Sequence, residues 1–179
     1  MTDLRIEEYR ALRDTIRARG TARTCIFIVG LGIWAALSLM NMGIGAVPLA
    51  VVFPLLVLAG TFEAVFALYA GVERVGRYLQ VFHDDAWEQT AMTFGPPLAG
   101  TGTDPLFGGL FGLATACNFL QVVVGGAVTA ELAVLGAFHL VFLVRVVIAR
   151  RAAARQRGVD LGRFEQLKQA QLTSAKARL

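Results

Sequence analysis

The sequence predicts an all-α chain: an integral membrane four-helix bundle, built as two helical hairpins, with amphipathic helical extensions on the cytoplasmic side. Three observations carry this. Of 179 residues 56% are hydrophobic and only 17% charged, where soluble domains are about 45 to 50% apolar and about 25% charged. The apolar residues gather into four long blocks instead of recurring at the spacing of a soluble core. The cations other than Arg145 lie beside those blocks, at the two chain ends and in one central segment, and none lies in the two short turns.

Spanning a hydrocarbon core takes about 20 mostly apolar helical residues at a rise of about 1.5 Å each. Residues 1–24 precede the first block and are expected to form a cytoplasmic arm. In it Ile6, Tyr9, Leu12 and Ile16 recur at helical spacing with Arg and Glu between them. That pattern predicts an amphipathic helix lying on the bilayer or on its neighbours. The arm has no apolar stretch or small-residue cleavage site and does not read as a secretory signal.

The first hairpin is expected over 25–71. Its blocks are the uncharged "CIFIVGLGIWAALSLMNM" from Cys25 and the stretch Val47 to Gly71, interrupted by Pro54 and Glu63 and joined to the first by "GIGA". Residues 72–105 are read as a cytoplasmic helix and loop. Val72, Val75, Leu79 and Phe82 share a stripe that prolongs the second helix, and "GPPLAGTGTDP" then breaks it. The second hairpin, 106–149, pairs Leu106–Val124 with Leu132–Ala149 across "GGAVTAE". A basic tail, 150–179, carries Leu161, Phe164, Leu167 and Leu172 in a weak amphipathic pattern and is expected to be helical in part.

Orientation follows from the cations, because short cytoplasmic loops carry the excess of Lys and Arg. Arg5, Arg10, Arg13, Arg17, Arg19 and Arg23 precede the first block, Arg74 and Arg77 follow the second, and the tail from Arg150 holds eight Lys and Arg. Both ends and the central segment are therefore expected in the cytoplasm. A soluble bundle would need polar outer faces, which none of the blocks has.

The net charge of +4 does not indicate nucleic acid, because the cations flank apolar blocks and no interleaved aromatics offer a stacking platform. Cys25 and Cys117 each lie in an apolar block, where a thiol acts as a small hydrophobe, and they imply no disulfide framework.

Strongly polar side chains inside a bilayer need a partner, water or an escape to the interface. Glu63, Asn118, Gln121, His139 and Arg145 fall within the blocks. Counting helical rise puts Glu63 and Arg145 at overlapping depths near the cytoplasmic side, and Asn118 and His139 at similar depths nearer the outer side. Arg145 is expected either to snorkel to the headgroups or to pair with Glu63, and Asn118 to hydrogen-bond His139. Glu63, Asn118 and His139 could alternatively line an ion path. Against that stands the expectation that the first helix contributes no polar residue. Gly108 and Gly112 stand at GxxxG spacing, suited to close approach of a neighbouring helix, and Gly30, Gly32, Gly43 and Gly45 suit either internal packing or turns.

Outside the blocks, "HDDAWE" concentrates His83, Asp84, Asp85 and Glu88. A solvated acidic helix end is the expectation for it, with a metal or acid/base site as the alternative. No HExxH, P-loop, GxSxG or CxxC spacing occurs, so neither an enzyme nor a metal or cofactor site is expected. The exposed candidates for engaging a partner are Arg74, Arg77, Tyr78, Leu79, Phe82 and Trp87.

The pieces "EEYRALRDTIRARGTAR" and "GVERVGRYLQVFHDDAWE" resemble those of an uncharacterised family of small bacterial four-helix integral membrane proteins. The likeness rests on Tyr9, Leu12, Arg13, Ile16 and Arg19 in the arm, on the proline-interrupted second span around Pro54, and on Arg74, Gly76, Arg77, Tyr78 and Leu79 beyond it. It covers roughly the first half of the chain, and the part from "GPPLAG" onward does not share it. The resemblance implies the fold and a bacterial inner membrane, and no activity.

The expected role is that of a structural or interaction protein, a homo-oligomer or an accessory subunit of a larger membrane complex, with the bilayer and anionic headgroups as further partners. The alternative is a small oligomeric channel or pore-forming effector.

Overall fold

A computed structural model describes residues 3–45, 47–83, 90 and 105–177. Among them the chain is all-helical: α1 (Asp3–Gly43), a 3-10 turn (Pro48–Val51), α2 (Val52–Phe82), α3 (Pro105–Val124) and α4 (Thr129–Lys176). Each apolar block lies in a helix long and apolar enough to cross a membrane. The helices run antiparallel in chain order, so both chain ends lie at one end of the bundle, the terminal end, and the two short connections at the other, the turn end. Helix α2 is central. It packs along α1 and α4, while α3 leans on α4 and α2.

Length sets the shape. Helix α3 has 20 residues, enough for about 30 Å at the helical rise. Helices α1, α2 and α4 have 41, 31 and 48 residues, and run on past the start of α3 at the terminal end. The described residues form a four-helix bundle that continues as a three-helix stalk. The arm is no separate element. It is the first part of α1, packed on α2, so of its two expected placements the structure shows the one on neighbouring helices. The tail is helical through to Lys176 rather than in part. Helix α4 passes Gly158 and Gly162 unbroken because Asp160, buried between them, is bonded to α2.

In the core Phe62 of α2 meets Phe111 of α3 edge to face at 5.3 Å and Phe142 of α4 at 5.9 Å. Leu55, Leu58, Ala114 and Ala149 complete this cluster, with Phe27 and Leu31 of α1 against it. A smaller cluster of Val51, Val122 and Leu135 closes the turn end. The turns need glycine where φ is positive, at Gly45 (60°) and Gly126 (71°). Helix α4 begins with the Glu131 carboxylate accepting a hydrogen bond from the Val128 N–H at 3.0 Å, where the helix dipole also favours an anion.

Gly30 is the close approach between α1 and α2: it is buried, and a Cβ there would collide with the Thr61 side chain. Replacing Gly30 with valine is expected to cost about 1 to 3 kcal/mol through overpacking. Gly32→Val should leave stability in detergent unchanged, since a Cβ at Gly32 meets nothing within 4 Å. Equal thermal shifts for the two variants would contradict this packing. Added Cβ atoms at Gly108 and Gly112 also meet nothing within 4 Å, so this chain does not itself use that pair for close packing.

Candidate functional site

Two polar clusters stand out against the apolar core. The first is built around a backbone defect. Pro54 has no N–H, so the Ala50 carbonyl lacks its regular helical donor. Asn41 of α1 supplies one through Nδ2 at 3.3 Å. The next carbonyl, Val51, receives Asn118 Nδ2 of α3 at 3.1 Å.

Asn118 is 0% exposed and His139 3%. The Trp34 Nε1–H donates to Asn118 Oδ1 at 3.3 Å. His139 Nδ1 lies 2.7 Å from the Leu135 carbonyl, and Asn118 Nδ2 lies 3.0 Å from His139 Nε2. A carbonyl only accepts, so Nδ1 carries the hydrogen and Nε2 accepts the second amide proton of Asn118. A proton on Nε2 would confront that N–H, so the geometry holds the ring neutral. One asparagine thereby joins α1, the 3-10 turn before α2, and α4 to its own helix.

The structure thus brings Asn118 and His139 together. It overturns the expectation that the first helix adds no polar residue, since α1 provides both Trp34 and Asn41. Tryptophan counts as hydrophobic in composition, and Asn41 sits at the edge of its block. The usable signal was Pro54, which obliges some side chain to serve the carbonyl it abandons. Near this cluster α1 and α3 line a cavity of about 570 Å³, which Trp34 and Asn41 border.

Glu63 is not a partner of this cluster. It lies on the outer face of α2, where its Oε2 accepts from Arg145 Nη2 of α4 at 2.8 Å, with the side chains 49% and 41% exposed. The Arg145 guanidinium also covers the Phe66 ring at 5.6 Å. In water so exposed a pair would contribute little; were it surrounded by hydrocarbon, neither charge would have another ionic partner among the described residues. Single reversals, Glu63→Arg or Arg145→Glu, are expected to lower the melting temperature in detergent by several degrees and the double reversal to recover most of it. A double variant no better than either single would show that the contact does not hold α2 to α4.

The second cluster ties the stalk together. Arg77 Nη1 donates to Asp160 Oδ2 of α4 at 2.7 Å and Nη2 to Glu73 Oε2 at 3.1 Å. The Arg77 and Asp160 side chains are 7% and 11% exposed. Gln156 Nε2 donates to the other Asp160 oxygen at 2.8 Å. Further out, Tyr78 stacks on Phe82 at 4.7 Å, both against the Phe164 edge, and Lys168 Nζ donates to the Val81 carbonyl at 2.7 Å. On the α1 side the Tyr78 hydroxyl donates to Glu8 Oε1 at 2.7 Å.

This changes the reading of the expected partner surface. Leu79 is fully buried and Arg77 nearly so, while Tyr78 and Phe82 are half-buried against Phe164. Of the described members only Arg74 is exposed. The apolar stripe seals the stalk because α4 runs on alongside it, a pairing that the stripe's own sequence does not reveal. Trp87, Asp84, Asp85 and Glu88 lie outside the described residues. His83 is buried between Tyr9 (5.5 Å) and Tyr78 (6.2 Å). Among the described residues no three His, Cys, Asp or Glu side chains gather as a metal would need.

The hydrogen bond to Glu8, with burial second, holds the Tyr78 hydroxyl above its ordinary value of 10.0. A raised folded value means that the contact's contribution is complete below the ordinary value and is lost as pH rises through the raised one. Protease cleavage of the arm should therefore increase above about pH 10, with the step absent in Tyr78→Phe. A step of the same size in that variant would place its origin elsewhere.

No protein-family model, no curated protein and no solved structure matches the chain.

Proposed function

We propose that the chain is a small multi-pass protein of the bacterial inner membrane, with both ends in the cytoplasm. It works there as a structural or interaction subunit, self-associating or accessory to a larger membrane complex. The observation that carries this reading is the inversion of its surface. Ile28, Val29, Ile33, Leu56, Leu113, Leu120, Phe138, Val141 and Ile148 point outward and are exposed, while Asn118, His139, Thr115 and Ser38 are buried. Soluble proteins rarely expose apolar patches beyond a few hundred Å².

The distribution of cations supports the orientation, and the resemblance of the first half to small bacterial four-helix membrane proteins supports the location. A structural role fits the interior. Phe62, Phe111 and Phe142 fill the axis of the bundle, and every donor and acceptor of Asn118 is committed. A single copy so packed offers rigidity rather than a conduit, and the stalk gives it a stiff cytoplasmic handle.

Gentle detergent extraction, followed by particle mass and identification of co-purifying chains, tests the role. The expected result is a particle heavier than one copy and vesicles that stay tight to ions when the protein is reconstituted. Ion leakage would replace the structural reading with the channel reading. A monodisperse single chain without partners would refute both forms of association. A chain found in the supernatant without detergent would remove the membrane itself.

A further inference from the structure

At the level where α3 begins, all four helices contribute to a niche of about 30 Å³: Arg23 from α1, Tyr69 from α2, Phe107 from α3 and Arg150 from α4. Arg23 is fixed there. Its guanidinium lies over the Phe107 ring at 5.1 Å and the Tyr69 ring at 5.9 Å, and its Nε is buried without a hydrogen-bond partner. One turn earlier Arg19 lies against Gly71, where an added Cβ would come within 2.5 Å of its Nη1.

The charge balance at this level differs from that elsewhere in the molecule. Arg77 and Arg145 have carboxylate partners, and Arg74 reaches Asp160 at 3.9 Å. Among the described residues no carboxylate stands within ion-pair distance of Arg19, Arg23 or Arg150. Nor is Glu73 free to serve them, being bonded to Arg77. Arg23 lies just before the first apolar block and Arg150 just after the fourth. That is the boundary between hydrocarbon and headgroups in the membrane reading, on which this inference rests.

We propose that Arg23 and Arg150, flanked by Tyr69 and Phe107, bind the phosphate of an anionic phospholipid from the cytoplasmic leaflet. Guanidinium groups suit phosphate through paired N–H donors. Basic niches between transmembrane helices on the cytoplasmic side take such headgroups. The rings serve both parts of the ligand. They hold the Arg23 guanidinium in place, and they offer an apolar bed to the glycerol and upper acyl chain at a depth that a dissolved phosphate has no reason to prefer.

The test is native mass spectrometry of the full chain in detergent with equimolar phosphatidylglycerol and phosphatidylcholine. The wild type is expected to retain phosphatidylglycerol preferentially, by about fivefold for each arginine engaged. Arg23→Gln with Arg150→Gln should bring the ratio close to one. Arg151→Gln with Arg155→Gln, at two exposed cations of the same helix, should leave it intact. A preference that survives the first pair and falls with the second means diffuse attraction and overturns the site.

Displacement by free glycerol phosphate as effective as by the lipid would make the ligand a soluble phosphate and overturn the lipid assignment. Should the double variant misfold, Arg150→Gln alone must lower the ratio and Arg150→Lys restore part of it, or the site is wrong. Carbonate extraction of the wild type separates the two ideas. A chain that stays in the membrane but shows a ratio of one refutes the site alone, whereas a chain that leaves the membrane refutes the reading beneath it.

Discussion

Replacing Asp160 with leucine is expected to open the stalk, and replacing Arg77 with methionine in the same chain to close it again. Asp160 accepts from Arg77 and from Gln156, and the Arg77 side chain is 7% exposed. Removing the carboxylate leaves a guanidinium buried with, among the described residues, only Glu73 to balance it. Breaking a buried pair in this way costs about 3 to 5 kcal/mol, and Glu73 should hold the loss near the lower figure. Removing both charges substitutes apolar contact for a desolvated ion pair, an exchange that is often close to neutral. Trypsin cleavage within Arg155–Lys168, together with denaturation in detergent, reads both outcomes. Were the Asp160→Leu stalk as resistant as wild type, or the double variant as fragile as the single, the pair would not be what holds α4 to α2.

Asn118→Leu is the second large effect, expected at about 2 to 4 kcal/mol. The two side chains are similar in size, so the loss is one of hydrogen bonding rather than of volume. The Trp34 N–H and His139 Nε2 lose their partner at once, and the Val51 carbonyl keeps only its helical donor. An orphaned buried polar group costs about 1 to 3 kcal/mol, while single interhelical bonds in membranes average only about 0.6 kcal/mol, hence the intermediate total. His139→Leu and Trp34→Phe should each cost less, because each leaves the other contacts of Asn118 in place. Thermal unfolding in detergent orders the three. If Trp34→Phe equals Asn118→Leu, the asparagine is not the hub.

The four apolar blocks could be found in the sequence because the signal is one of length and composition, neither of which depends on a partner. Glu63 with Arg145, and Asn118 with His139, could be matched because a helix rises evenly and residues at equal depth become neighbours. What failed depended on which faces meet. Arg77 and Leu79 looked available because nothing in their own segment shows that Phe164 and Asp160 lie alongside it. Asp160, a lone acid between two glycines in a basic tail, has the local character of a solvated residue. Asn41 escaped notice for a different reason: the demand it meets is set by a proline on another helix, while Trp34, counted as apolar, meets one set by Asn118.

The arrangement around Asn118 also has a consequence for how the chain is made. In the membrane reading, synthesis delivers the first hairpin into lipid with the Trp34 N–H bare. Asn118 appears on the third helix, and His139, which orients its amide, only on the fourth. The early half must therefore wait, under-satisfied, for the late half to arrive. A chain halted before the third helix keeps the Trp34 N–H unfilled, a polar group that the finished protein does not present.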